Sequence, residues 1–93
     1  MNFGTYVVLG TAHVRCTTAQ RLNALAGLQP GDRPMMVACT HCGWLIGTQI
    51  SADGPRLPDD LDAILAFGRR HGCDFVLLDS DGAESPELPV FPW

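Results

Sequence analysis

The stretch that decides the fold is Phe75-Val76-Leu77-Leu78-Asp79-Ser80-Asp81-Gly82, in which four apolar residues run into two carboxylates and a glycine. A short apolar run bounded by turn residues is typical of a buried strand. Since the run lacks polar alternation, we expect this strand to be covered on both faces. The stretch therefore predicts a central strand that ends in an acidic turn, where Asp oxygens accept backbone amides and Gly82 has a positive φ.

Two amphipathic helices are predicted before this strand. The first begins near Thr17, whose spacing to Gln20 fits a capping box, and it stops at Gly27. The second has Pro58 as its first residue, aspartates in its first turn and Gly72 just after its end, which suits the preferences of helix termini. Their core-facing residues are Leu22, Leu25 and Ala26 in the first helix and Leu61, Ile64, Leu65 and Gly68 in the second.

Three further stretches have strand character, namely Tyr6–Leu9, residues 35–39 and residues 44–50. The residues between the last two fit either a hairpin turn or a bulge within one long bent strand, and both alternatives remain open. The order is β-α-β-(β)-α-β, which predicts an α/β fold, with α+β as the other possibility. We expect one small sheet of three or four strands covered by two main helices.

The length of 93 residues suits a single domain over residues 1–93. Residues 83–93 contain three prolines, so we expect an irregular tail that its apolar residues hold against the domain. No stretch approaches the roughly 18 apolar residues of a membrane span, and no membrane partner is expected. The first residues lack the basic opening of a signal peptide, which predicts a cytoplasmic location with reduced thiols.

The charge is unevenly distributed along the chain. Residues 1–46 hold three arginines and one aspartate, a net +2, whereas residues 47–93 hold three arginines and nine acids, a net −6. The chain has no lysine. Because nucleic-acid binders neutralise phosphates with clusters of Lys and Arg, we do not expect direct nucleic-acid binding. The acidic half indicates a basic protein partner, although acids also serve solubility alone.

Asp79 and Asp81 at a strand end are similar to the first motif of haloacid-dehalogenase-type phosphatases. That chemistry also needs a later Ser or Thr, a Lys and further acids, and only eleven residues follow Gly82. A calcium loop needs different acid spacings and a closing Glu. We therefore expect a non-enzymatic protein with no catalytic residues.

The sequence Cys39-Thr40-His41-Cys42-Gly43 supports an alternative hypothesis, because a Cys-x-x-Cys-Gly turn resembles a zinc knuckle. A structural zinc site needs four ligands, and no second Cys-x-x-Cys pair exists. The alternative function is thus a small zinc-binding or Cys/His-dependent domain that uses Cys39, Cys42 and His13. A redox dithiol should open a helix, but a strand is predicted here. The leading expectation remains no metal and no cofactor.

The acids of the second half form the candidate partner-binding patch, provided that the second helix and the final turn share a face. Their local role at a helix start is the alternative explanation. The residues of this predicted patch are Asp53, Asp59, Asp60, Asp62, Asp79, Asp81, Glu84 and Glu87.

Three stretches together resemble a known family. They are Thr11-Ala12-His13 before a helix, Gly43-Trp44-Leu45-Ile46 as an interior strand, and the ending Asp79-x-Asp81 … Leu88-Pro89-Val90-Phe91-Pro92-Trp93. The pattern is similar to a family of small proteins of unknown function carried by conjugative plasmids and phages, whose members close with Leu-Pro-x-aromatic-x-Trp. The resemblance implies a mobile-element context and assigns no catalytic residue.

That context implies a counter-defence role, because the chain looks similar to anti-CRISPR proteins in size and charge. We expect an acidic protein-binding module, acting in the cytoplasm of a host cell, that inhibits host defence by occupying a basic nucleic-acid-binding surface. A Cas effector complex is the candidate partner. A structural subunit of a larger complex, contacting its partner through the Pro-rich tail, is a further alternative.

Overall fold

The computed structural model describes residues 4–50 and 56–92 of the chain. Its elements follow the predicted order of strands and helices. They are β1 (Tyr6–Gly10), α1 (Cys16–Ala26), β2 (Val37–Thr40), β3 (Gly43–Gly47), α2 (Asp59–Arg70) and β4 (Phe75–Asp79), with 3₁₀ turns at Thr11–His13 and Pro30–Asp32. The predicted class is confirmed in its α+β form, because the strands make one mixed sheet accompanied by two helices.

The sheet has the order β1-β4-β3-β2, so the last strand of the chain lies inside it. β4 pairs in parallel with β1, with Tyr6 opposite Phe75, and pairs antiparallel with β3, where Gly43 lies opposite Asp79. β2 and β3 form an antiparallel hairpin, which decides against one long bent strand. The predicted central position of β4 is confirmed.

Among the described residues, both helices pack on the same face of the sheet, so the expectation that β4 is covered on both faces is wrong. The inward residues of the strands join both helices in one core. This core includes Leu9, Val37, Ile46, Val76 and Leu78 from the sheet with Leu22, Leu25, Leu61, Ile64 and Leu65 from the helices. Alternate strand residues point the other way, and Tyr6 and Val8 there are exposed.

The helix ends differ from the sequence prediction at two positions. α1 begins at Cys16 with Arg15 as its N-cap residue, so Thr17 lies inside the first turn and the predicted capping box is wrong. Pro58 is the N-cap residue of α2 rather than its first helical residue. Gly72 follows α2 with φ +72°, the left-handed conformation that glycine adopts without a side-chain clash.

The turn after β4 also differs in part. Asp79 Oδ1 accepts the backbone amide of Asp81 at 2.8 Å, as expected of an acidic turn. The prediction for Gly82 is wrong, because Gly72 is the only glycine with a positive φ in the described part of the chain. Gly82 is needed for another reason: a Cβ there would lie 2.6 Å from the carbonyl oxygen of Leu9.

The tail after this turn runs beside the end of β1. The amide of Gly10 donates to the oxygen of Ala83 at 2.9 Å, and the amide of Phe91 donates to the oxygen of Ala12 at 2.8 Å. Leu88 is buried in the core. Residues 83–92 form neither a helix nor a strand. No helix within the described ranges is long and apolar enough to cross a bilayer.

Candidate functional site

Asp60 does not belong to an exposed acidic patch, which corrects the sequence prediction for this residue. It is buried, with 3% of its surface exposed, although it stands in the first turn of α2 beside two exposed aspartates. Its carboxylate accepts the Arg15 amide at 2.7 Å and the Thr18 hydroxyl at 2.7–2.8 Å. The Arg15 guanidinium approaches to 3.8 Å from the exposed side. Asp60 therefore caps α1 from outside, where Arg15 itself supplies no side-chain cap.

This contact places the beginning of α2 beside the beginning of α1. Because α1 follows the end of β1 after one 3₁₀ turn, both helix starts lie at the edge where the parallel strands β1 and β4 end. The turn after β4 lies there too, and a Cβ on Gly10 would be 3.7 Å from the Glu84 side chain. The fold therefore brings two groups of acids to one edge of the sheet.

We call the exposed acids at this place the acidic edge; they are Asp59, Asp62, Asp81 and Glu84. No cation of the described residues lies within ion-pair distance of any of them, since the ion pairs found are Arg15–Asp60 and His71–Glu87. The half-buried Asp79 borders the acidic edge and uses one oxygen for the turn. Each carboxylate of the acidic edge remains available to a cationic partner.

Glu87, another predicted patch residue, lies outside this group. Glu87 is 3.5 Å from His71, which follows the end of α2, so it lies toward the far end of a helix about 18 Å long. Asp53 falls outside the described residues. Of the seven predicted patch residues that the structure describes, five thus remain together, namely the four of the acidic edge and their neighbour Asp79.

His13 holds the tail, and this corrects the alternative metal site. It is buried, with 1% of its surface exposed. The amide of Ser85 donates to Nε2 at 2.8 Å, so Nδ1 carries the proton and donates to the oxygen of Pro89 at 2.8 Å. With both ring nitrogens occupied by the protein, His13 has no lone pair for a metal ion. The described residues contain no group of three or more His, Cys, Asp or Glu able to hold one.

Cys39 and Cys42 line a surface pocket of about 370 Å³ at the hairpin turn, next to Trp44 and Ser80. The Trp44 indole donates to Asn23 Oδ1 at 3.0 Å, and the Cys39 thiol lies 3.8 Å from the same oxygen. Asn23 thereby ties α1 to the hairpin. Both cysteines are free thiols in a strand–turn–strand unit, which is not the helix start that stabilises a redox thiolate.

The comparison with known families covers nearly the whole chain. A model described as "Family of unknown function (DUF5983) C-terminal domain" matches residues 6–93. The chain belongs to this family. The predicted membership of a family of unknown function is therefore confirmed. No curated protein and no solved structure gives a significant match to this DUF5983 domain.

Sequence reasoning missed the roles of Asp60, His13 and Asn23 in this DUF5983 domain. Each binds a group distant in the chain, with separations of 45 residues for Asp60 and Arg15 and 76 for His13 and Pro89. No local pattern distinguishes such residues from exposed ones of the same type. The apolar outer side of β4, by contrast, could be detected in the sequence. A strand covered on one face alternates apolar and polar residues, whereas β4 has apolar residues at consecutive positions.

Replacing His13 by alanine should lower the free energy of unfolding by about 2–4 kcal/mol. The change removes the partners of Ser85 and Pro89 and leaves a cavity where a buried ring was. Urea unfolding measures the loss, and limited proteolysis should cleave the tail sooner. His41→Ala is the matched control, since His41 is exposed and should change stability by less than about 0.5 kcal/mol. Equal stability of the two variants would contradict this role of His13.

Proposed function

We propose that this DUF5983 domain is a non-enzymatic protein-binding module of mobile genetic elements that inhibits host defence. In this role the acidic edge occupies a basic surface built for nucleic acid, as an anti-CRISPR protein does on a Cas effector complex. The observation that carries the proposal is the acidic edge itself, four exposed carboxylates gathered by two distant parts of the chain without ion-pair partners among the described residues.

The physical basis is electrostatic complementarity. A surface that binds nucleic acid presents Lys and Arg side chains to phosphates, and exposed carboxylates can take the place of those phosphates. Such complementarity raises the association rate and makes binding weaker as salt increases. The net charge of −4 supports the same steering. The role places the protein in the host cytoplasm and requires no cofactor.

The test is a double charge reversal, Asp59→Lys with Asp62→Lys. Both side chains are exposed, so the fold should survive, which circular dichroism checks. In a plasmid-interference assay with a CRISPR-active host, we expect the wild-type protein to inhibit and the variant to lose at least about tenfold in inhibition. Asp60 is left unchanged, because its substitution would disturb α1. A loss of inhibition could then result from unfolding rather than from weaker binding.

A matched control carries Asp32→Lys with Glu87→Lys, which changes the net charge equally at exposed positions away from the acidic edge. This control should inhibit like the wild type at physiological salt. An acidic-edge variant that inhibits fully, or a control that loses inhibition equally, would refute the proposal that these carboxylates contact the partner.

A further inference from the structure

The outer side of the sheet is apolar and uncovered by the described residues. We call it the open face; it consists of Tyr6, Val8, Leu45, Phe75 and Leu77, with Thr40 and Ala38 at the β2 side. Tyr6 is 59% exposed and Val8 is 41% exposed, and the other three large residues are half-buried. None of the five belongs to the hydrophobic core. Contiguous apolar exposure of this kind marks an interaction site.

The open face is concave at its centre. A depression of about 340 Å³ lies among Gly4, Tyr6, Thr40, Leu45, Phe75 and Leu77. It crosses all four strands of the sheet, because its lining includes Tyr6 of β1, Leu77 of β4, Leu45 of β3 and Thr40 of β2. The sheet therefore forms the floor of the depression, on which large apolar side chains of a partner can pack.

Charge is confined to the two ends of the open face, and it is negative at both. Among the strand residues that point to this side, Asp79 is the only charged one, and it closes β4. At the other end Asp74 directly precedes β4. Its Oδ2 accepts the amide of Thr5 at 3.1 Å and lies beside the Phe75 ring, because a Cβ on Gly4 would be 3.6 Å from this oxygen and 2.8 Å from the ring. The two aspartates are five positions apart along the strand, which sets their Cα atoms about 17 Å apart. The complementary partner is apolar in its middle and basic at its ends.

A second copy of the chain does not fit this pattern. Stacking two such faces would set the acids of one copy near the acids of the other, which is unfavourable at low dielectric. The face is also small, because three strands of five residues and one of four present roughly 300 Å², well below the ~800 Å² per partner of a stable dimer interface. An amphipathic helix of about 12 residues is about 18 Å long and matches the distance between the acids.

We propose that the open face binds an amphipathic helix of a partner protein, which lies along β4 with its apolar stripe over Phe75 and Leu77. Lys or Arg at the two ends of that helix contacts Asp74 and Asp79. The inference rests on the proposed protein-binding role and assigns it a second surface, which adjoins the acidic edge at Asp79 but shares none of its four carboxylates. Helix-in-groove recognition of this type is read through apolar anchors spaced at i, i+3, i+4 and i+7.

The probe is a synthetic helical peptide of about 14 residues with leucines at that spacing and two arginines at each end. Fluorescence polarisation with the full chain should show saturable binding. Val8→Lys and Leu77→Lys should each weaken it by at least about tenfold, since each places a charge on the apolar floor. Val90→Lys is the matched control, because Val90 is 51% exposed in the tail, and it should bind the peptide within about twofold of wild type.

A second peptide keeps the leucines but has glutamates at its ends, and it should not bind. Equal binding of both peptides, or unchanged binding by Val8→Lys, would overturn the proposal. A wild-type dimer in sedimentation velocity that Val8→Lys dissociates would overturn it in favour of a second copy. The Asp59→Lys, Asp62→Lys variant should bind the arginine peptide normally, so loss of inhibition with retained peptide binding separates the two surfaces.

Discussion

Replacing Gly43 by alanine should lower the free energy of unfolding by about 3 kcal/mol or more, or prevent folding altogether. A Cβ at this position would overlap the carbonyl oxygen of Leu78 and lie 2.8 Å from its carbonyl carbon. Both obstacles are backbone atoms of the central strand, so no side-chain rotation relieves the clash. β3 cannot retreat either, because the oxygen of Cys42 accepts the amide of Ser80 at 3.0 Å.

Urea unfolding followed by circular dichroism measures this effect, and Gly31→Ala is the matched control. Gly31 has no atom within 4 Å of an added Cβ and does not have a positive φ. Its substitution should leave stability unchanged or raise it by up to about 1 kcal/mol, because alanine restricts the unfolded chain. If Gly43→Ala unfolds like Gly31→Ala, then β3 and β4 do not approach each other as closely as the structure shows.

The requirement at Gly43 illustrates why part of the fold could not be predicted from the sequence. In sequence, Gly43 closes a Cys-x-x-Cys-Gly turn and looks like a turn or ligand-site glycine. In the structure its φ is not positive. A glycine is required at this position because the backbone of β4, far later in the chain, leaves no room for a Cβ. Close approaches between strands depend on residues that are far apart in the chain, whereas turn and helix signals depend on neighbouring residues.

Local signals did predict the elements themselves. The β4 run and the end of α2, with Gly72 just after it, were predicted because their causes lie within a few residues, whereas the start of α2 was predicted one residue too early. The order β1-β4-β3-β2 was not predicted, since strand order depends on how the helices cross the sheet. The capping box at Thr17 failed because a distant carboxylate, Asp60, supplied the cap instead.

The apolar run of β4 was correctly identified as a strand, but it was expected to be covered on both faces, and the described residues cover one. Val76 and Leu78 face the core, whereas Phe75 and Leu77 face the open side. An apolar sequence pattern predicts that a surface is buried. It does not indicate whether the same chain or a partner protein buries it. The apolar outer side of β4 led to the wrong expectation of two covered faces. It is also the observation behind the proposed helix-binding face.

Asp60→Ala should lower the free energy of unfolding by about 3–5 kcal/mol, a large fraction of the stability of a small domain. The substitution leaves the Arg15 amide and the buried Thr18 hydroxyl without their acceptor. It also removes a carboxylate from the positive ends of two helices, since Asp60 lies in the first turn of α2 and binds the first turn of α1. Urea unfolding monitored by helical circular dichroism measures the loss.

Three controls decide which part of this interaction stabilises the fold. Asp59→Ala and Asp62→Ala remove the same charge from exposed positions of the same helix start, and each should cost less than about 1 kcal/mol. Arg15→Ala removes the guanidinium, which also lies 4.3 Å above the Phe91 ring, but keeps the backbone amide that Asp60 binds. Because the Arg15 side chain is 53% exposed, these two contacts should together contribute less than about 1 kcal/mol. A loss at Asp60→Ala no larger than at Asp59→Ala would mean that the carboxylate acts only through the helix dipole. A much larger loss, with Arg15→Ala nearly silent, would show that hydrogen bonds to the start of α1 hold the two helices together, and with them the edge that carries the acids.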